Sequence, residues 1–321
     1  MITVGIPIYK ARETLPYCLD ALVAQTRKMF LVTLCQDCDG EDYSDIIEEY
    51  RARGLHIRLI STPENGGPGV ARQTIIDNEN QSDYIMFCDS DDMLFPRAVE
   101  QLYREAKRNN ADLVTASFIH EENFGPGHHL PSSTTSSTWC HTKLYRIKYL
   151  KDNNIRFLPE LRLNEDSYFN LVACNCTDKI YRLDEYLYLW RANPNSLTRK
   201  DSDSFFQRSN GSYIYGQAKG LKKIYEVRGE IPGSVLCQTL INIYEAMMEQ
   251  VYRKVDDYSY MDELLSLKKN SFIQEFLKDG NNWPYFVNNV KAARIYDNDV
   301  VYFYKLRFVD FITNYIMEDK K

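Results

Sequence analysis

The residues with the clearest chemical potential close the run Phe87-Cys88-Asp89-Ser90-Asp91-Asp92. Three carboxylates within four positions repel one another unless a cation neutralises them. Hard divalent ions take oxygen ligands, and magnesium or manganese is commonly shared between a few carboxylates and substrate phosphates. Taken alone, such a run reads first as a solvated acidic turn capping the next helix. A second acidic pair, Glu165-Asp166, offers a carboxylate able to take a proton from a hydroxyl. Acids at a helix start also complement its dipole, and the two roles are compatible.

These residues need a frame to hold them. Ile2 to Ile8 is a short apolar run, and Leu15, Leu19, Leu22 and Val23 then recur at helical spacing. Phe30 to Cys35, His56 to Ile60, Tyr84 to Cys88 and Asp112 to Phe118 read as further strands. Between them lie helical patterns carrying Ile46, Ile47 and Tyr50, then Val70, Ile75 and Ile76, then Val99, Leu102 and Ala106. Pro68 and Pro96 suit helix starts. This alternation predicts an α/β fold: a mostly parallel sheet flanked by helices. Ligands of such sheets bind beyond the carboxyl ends of the strands, where the acids fall. Residues 120–138, with His128 and His129, form a polar Gly-, Pro-, Ser- and Thr-rich loop of the kind that serves as a lid. After about residue 200, Tyr213, Ala218, Leu221, Ile224 and Tyr225, then Leu236, Leu240, Ile243, Tyr244 and Met247, predict a mainly α-helical extension.

The motifs fall in a telling order. IPIY ends the first strand, QDCDGED follows the second, NGGPGVAR the third and DSDD the fourth; WCHTKLYR, LNEDSYFN and YLWRANPNSLT come later. Together they resemble the family 2 glycosyltransferases over residues 1–200. The resemblance implies a GT-A-like catalytic domain over 1–200, which binds a nucleotide sugar and transfers the sugar with inversion. It leaves 201–321 to an acceptor, oligomer or packing role. Pro7 and Tyr9 match the segment beside the nucleobase, and a flat Tyr9 can stack on uracil. Asp37 matches the acid that bonds uracil, with Asp39 the alternative because QDCD stands where DDGS is usual. Asn65, Gly69 and Arg72 match the loop and helix facing the nucleotide. There Gly66, Gly67 and Gly69 allow close backbone approach and Arg72 can pair with a diphosphate. Asp89, Ser90 and Asp91 match the ribose and metal motif, with Asp91 the first metal ligand, Asp89 the second, and manganese or magnesium the cofactor. Asp166 matches the catalytic base and Glu165 its positioning partner. Trp139, Lys143, Tyr145 and Arg146 match the sugar-pocket segment, where Trp139 offers a platform for a sugar or else packs in the core. Arg191 and Ser196, with Lys200 nearby, match the segment that closes over the diphosphate.

Other classes fit less well. The net charge of −6, from 39 basic and 45 acidic residues, argues against broad nucleic-acid wrapping. Cys35-x-x-Cys38 lacks a second knuckle at zinc-ribbon spacing, and the eight cysteines mostly sit in apolar runs suited to reduced thiols in the cytoplasm. GPGVAR falls after the third strand and lacks the last glycine of a dinucleotide fingerprint. A nucleotidyltransferase would place a glycine- and arginine-rich loop where IPIYKARE stands. MITVGIPIYK reads as a strand and not as a signal peptide. The expected reaction moves a sugar, from UDP if Tyr9 and Asp37 hold uracil, to a hydroxyl of a glycan or cell-envelope polymer. A phage-type enzyme acting on a modified DNA base, served by Lys219, Lys222, Lys223 and Arg228, is the second reading; a catalytically silent sugar-binding module is the third. VVYFYKLRFVDFITNYI reads as packed structure, with peripheral membrane contact as its alternative.

Overall fold

β1 (Ile2–Ile8) is buried along nearly its whole length and sits inside the sheet, between two parallel neighbours. On one side it pairs in parallel with β2 (Leu31–Gln36), which pairs in parallel with β3 (Ile57–Ser61). On the other it pairs in parallel with β4 (Tyr84–Phe87). The computed structural model describes residues 1–121, 129–131, 137–193, 196, 202–286 and 308–318. The chain divides into two units, Met1–Lys200 and Asp201–Lys321.

Within the first unit the parallel strands come from the predicted alternation. α1 (Leu15–Val23) buries Leu15, Cys18, Leu19 and Leu22, and α2 (Ser44–Ala52) buries Ile46, Ile47 and Tyr50. α3 (Pro68–Asn78) starts where Pro68 follows Gly67 at φ 85°. That left-handed conformation favours glycine, and proline suits the first helical position. α4 (Ala98–Arg108) follows β5 (Met93–Leu94) and buries Val99, Leu102 and Ala106.

Beyond β4 the sheet becomes mixed. β6 (Leu113–Glu121) pairs in parallel with β9 (Ile180–Trp190), while β8 (Lys143–Arg146) runs antiparallel between β4 and β6. β5 closes antiparallel on β9, and β7 (His129–Pro131) pairs antiparallel with β6. Antiparallel neighbours need no helical crossover, so β8 enters directly from the segment ending at Thr142. α5 (Ile147–Asp152) follows it, and α6 (Glu165–Ala173) begins at the acidic pair. Of the polar loop, only β7 and the flanking ends are described; His128 lies outside the described residues.

The described residues of the second unit form helices and the turns between them. α7 (Ser202–Arg228) buries Ile214, Ala218, Leu221 and Ile224 at helical spacing, and α8 (Gly233–Arg253) buries Leu236, Leu240, Ile243 and Met247. These stripes account for the contact between the two helices. α9 (Met261–Ser266), α10 (Ser271–Lys278) and α11 (Phe308–Phe311), with the π-helical turn Ile312–Ile316, complete it. Phe311, Ile312 and Ile316 are fully buried, so the described end of the aromatic-rich segment packs inward; 300–307 lies outside the described residues. No helix among the described residues is long and apolar enough to cross a membrane.

Candidate active site

The site forms where β1, β2 and β4 end and where α6 begins. Asp89 stands one residue beyond the backbone bond from Cys88 N to Gly5 O (3.1 Å). Its amide donates to the Tyr188 hydroxyl (3.1 Å), and the same hydroxyl donates to Asp92 Oδ2 (2.6 Å). Asp92 is 1% exposed and also accepts from the Arg191 amide (2.9 Å). Burial, and then the charges of Asp89 and Asp91, push the Asp92 carboxyl well above the usual carboxylate range. Asp91 turns to Asn193, whose Nδ2 donates at 2.7 Å.

Arg72 joins this acidic turn to the second one. Its Nη2 contacts Asp89 Oδ1 at 2.6 Å and its Nη1 contacts Glu165 Oε1 at 2.8 Å, with the side chain 6% exposed. Burial works against the Asp89 carboxylate, but Arg72 and His141 outweigh it and hold Asp89 below its ordinary range. Removing one partner from a buried pair of this kind costs about 3–5 kcal/mol. α3 can come this close to α6 because Gly69 has no side chain: a Cβ there would stand 2.8 Å from Glu165 Cγ. Asp166 follows Glu165 in the first turn of α6. Burial and the neighbouring Glu165 push its carboxyl up to about 7, against the opposing pull of Arg72. A carboxylate balanced there can take a proton at neutral pH.

The β2 end is organised around two acids. Asp37 is 4% exposed and accepts from the amides of Gly66 (2.9 Å) and Gly67 (2.7 Å) and from the Thr62 hydroxyl (2.9 Å). It therefore fixes the glycine loop, which Asn65 also ties to the Asp37 carbonyl. Asp39 accepts from the Lys10 amide, the Tyr43 hydroxyl and the Glu41 amide, and so links the β1 and β2 ends. Pro7 is half-buried near the end of β1, and Tyr9 is 49% exposed just beyond it. Four non-glycine residues at positive φ border the site: Lys10 (49°), Cys38 (52°), Thr142 (51°) and Asn164 (58°). For the β-branched Thr142 this is a strained conformation; it directly follows His141 and is held by its hydroxyl bond to Ala116 O (2.7 Å).

An aromatic wall flanks the acids. Trp139 meets Phe118 edge-on at 5.5 Å and Trp190 at 5.8 Å, and His120 stacks on Trp190 at 4.2 Å. His141 is buried and stacks on Tyr188 at 4.6 Å. Among the described residues one group could hold a metal ion: Asp89, Asp92 and His141, whose ligand atoms lie within 4.8 Å of one another. Asp89 belongs both to this group and to the pair selected from sequence. Asp91 lies outside the group, and Asp92 and His141 join Asp89 in it beyond the pair that the sequence predicts.

The remaining candidates scatter. Ser90 is half-buried in the acidic turn. Arg191 stacks on Tyr17 at 4.6 Å and reaches the Asp91 carbonyl. Ser196 bonds through its amide to Asn193 O (3.1 Å), and Lys200 lies outside the described residues. Lys143 is buried with Nζ on Trp139 O (2.6 Å), Tyr145 donates to Asn170 (2.6 Å), and Arg146 turns away to Asp112. Cys35 is buried and Cys38 exposed, and no disulfide forms among the eight cysteines.

A curled mixed sheet with acids beyond its parallel strands and a helical second unit is a GT-A-like architecture of the glycosyltransferases. Residues 3–160 match the family model described as Glycosyl transferase family 2, and the chain belongs to that family. It is 28% identical over 264 residues to the uncharacterized glycosyltransferase EpsJ of Bacillus subtilis (strain 168), covering 72% of this chain and 76% of that one. It is 30% identical over 204 residues to the poly(ribitol-phosphate) beta-glucosyltransferase of Bacillus spizizenii. That match covers 59% of this chain and only 32% of the longer relative. The crystal structure of S. aureus TarS 1-349 in complex with UDP-GlcNAc superposes with a TM-score of 0.64 at 18% identity, over 92% of this chain and 93% of the other.

Proposed function

We propose that this glycosyltransferase moves a sugar from a UDP-sugar to a hydroxyl of a glycan or cell-envelope polymer, with a divalent metal and inversion at the anomeric carbon. The observation that carries this reading is the link through Arg72 between Asp89 and Glu165, with Asp166 next in sequence and balanced near neutral pH. In this reading Asp166 takes the acceptor proton as the acceptor oxygen attacks the anomeric carbon. The bond from that carbon to the diphosphate oxygen breaks, and UDP leaves. A bound divalent ion would supply charge neutralisation for the departing diphosphate. The donor set fits such an ion, since two carboxylates and an imidazole converge in one place. Asp89 would hold it, with Asp91 at the rim; Glu165 and Arg72 would orient the base.

Tyr9 is exposed enough to stack on a base, and the Asp37-bound glycine loop, with Asn65 and Gly69, would shape the rest of the nucleotide pocket. Ser90 and Pro7 would border the ribose and base, while Arg191 and Ser196 would close over the diphosphate. Trp139 would carry a sugar face. The structural neighbour bound to UDP-GlcNAc supports uracil as the base, and the poly(ribitol-phosphate) relative supports an extended polymer as acceptor. Residues 201–321 are assigned acceptor contacts or self-association. The eight free thiols suit a cytoplasmic setting.

The test is a calorimetric titration of the full chain with UDP, GDP and CDP, with and without manganese, on wild type and Asp89→Asn. Metal-dependent binding of UDP alone, lost in the variant, is the expected result. Equal binding of all three nucleotides without metal would overturn the assignment.

A further inference from the structure

We infer that His141 ligates the divalent cation through Nε2 and tilts the site toward manganese over magnesium. The inference rests on the metal-dependent reading above and assigns a residue to it.

The geometry around this imidazole is unusual for a buried residue. Its side chain is 7% exposed, and Nδ1 has no hydrogen-bond partner. Nε2 stands 3.7 Å from Asp89 Oδ2 and 3.9 Å from Asp92 Oδ2. Both spacings exceed hydrogen-bond length. They fall between the spacings of ligands on one ion, roughly 3 Å for adjacent and roughly 4.2 Å for opposite ligands at bonds of about 2.1 Å, so small side-chain shifts would bring all three atoms onto it. Buried carboxylates this close together are costly to ionise unless a cation neutralises them, and an ion between these three atoms would do so.

The surroundings hold the ring in place for this role. Tyr188 stacks on one face, and Phe118 meets it edge-on at 5.1 Å. The Tyr188 hydroxyl bonds both the Asp89 amide and Asp92 Oδ2, so one residue stacks on the ring, holds the Asp89 backbone and orients the Asp92 carboxyl. Partners of ligands that fix orientation in this way are typical of metal sites. Thr142, strained at φ 51° directly after His141, fixes the backbone that aims the ring.

The choice of metal follows from the donor type. Magnesium favours oxygen ligands and retains its waters, whereas imidazole suits transition metals. Manganese accepts both carboxylate and imidazole.

The experiment is pulsed electron paramagnetic resonance on the full chain with manganese and UDP, prepared with natural-abundance and with 15N-labelled histidine. Parallel titrations compare manganese and magnesium affinity in wild type, His141→Phe and His141→Gln. The expected result is a directly bound nitrogen coupling that changes isotope with the histidine label. His141→Phe retains ring stacking, and it should lose the coupling and at least tenfold of the manganese-over-magnesium preference. Manganese bound with UDP but showing no histidine nitrogen coupling would overturn the role of His141 and leave the proposed function standing. No manganese binding in the presence of UDP would overturn both. Should either variant fail to fold, the labelled wild-type spectrum decides alone.

Discussion

At Asp166 two opposing influences nearly balance. Burial and Glu165 raise its carboxyl, Arg72 lowers it, and the result is about 7. A base acts only when ionised, so the sign is fixed: kcat should fall as pH drops through about 7 and level off above it. Replacing Arg72 with Met removes the lowering influence, so the acid limb of the kcat profile should move to higher pH. A pH profile of both proteins checks this; an unmoved limb in Arg72→Met would mean that another group sets it. His141 shows how a residue escapes sequence reading. It sits alone in WCHTKLYR, and its partners Asp89 and Asp92 lie 52 and 49 positions upstream. No local spacing reveals that, whereas Asp89 and Glu165 are visible because each sits in an acidic cluster.

At the scale of elements, the approach of α3 to α6 carries the site. Gly69→Ala would place a Cβ against Glu165 Cγ and Cβ, and overpacking of this kind costs about 1–3 kcal/mol. We expect a lowered Tm together with reduced kcat, because the acidic pair would be displaced. Unchanged values for both would show that α6 yields without consequence. The parallel strands β1 to β4 were legible because apolar runs alternate with helical patterns. β8 and β9 were not, for physical reasons. KLYR is only four residues long, and IYRLDEYLYLW mixes charges into a strand that is half-exposed along most of its length. The glycine loop was legible as a place of close approach. That its amides are held by Asp37 emerges only when β2 and β3 stand side by side.

For the molecule as a whole, charge separates the two acceptor readings. The chain carries a net −6, and three of the four α7 cations that would serve DNA are paired with acids: Lys222 with Glu263 at 2.7 Å, Lys223 with Glu226 at 2.6 Å and Arg228 with Glu230 at 3.6 Å, while Lys219 bonds the Tyr215 hydroxyl. Pairs on the surface release little counterion when a polyanion arrives. Filter binding with duplex DNA should therefore show weak retention with no slope against salt; a steep slope would restore the DNA reading. One further consequence follows from Arg72, which grips Asp89 with one nitrogen and Glu165 with the other. Three positions far apart along the chain share a single charge balance. A change at one acid leaves the guanidinium over-committed to the other, so substitutions there are tolerated in combination rather than singly. Across related chains these three positions should vary together or not at all.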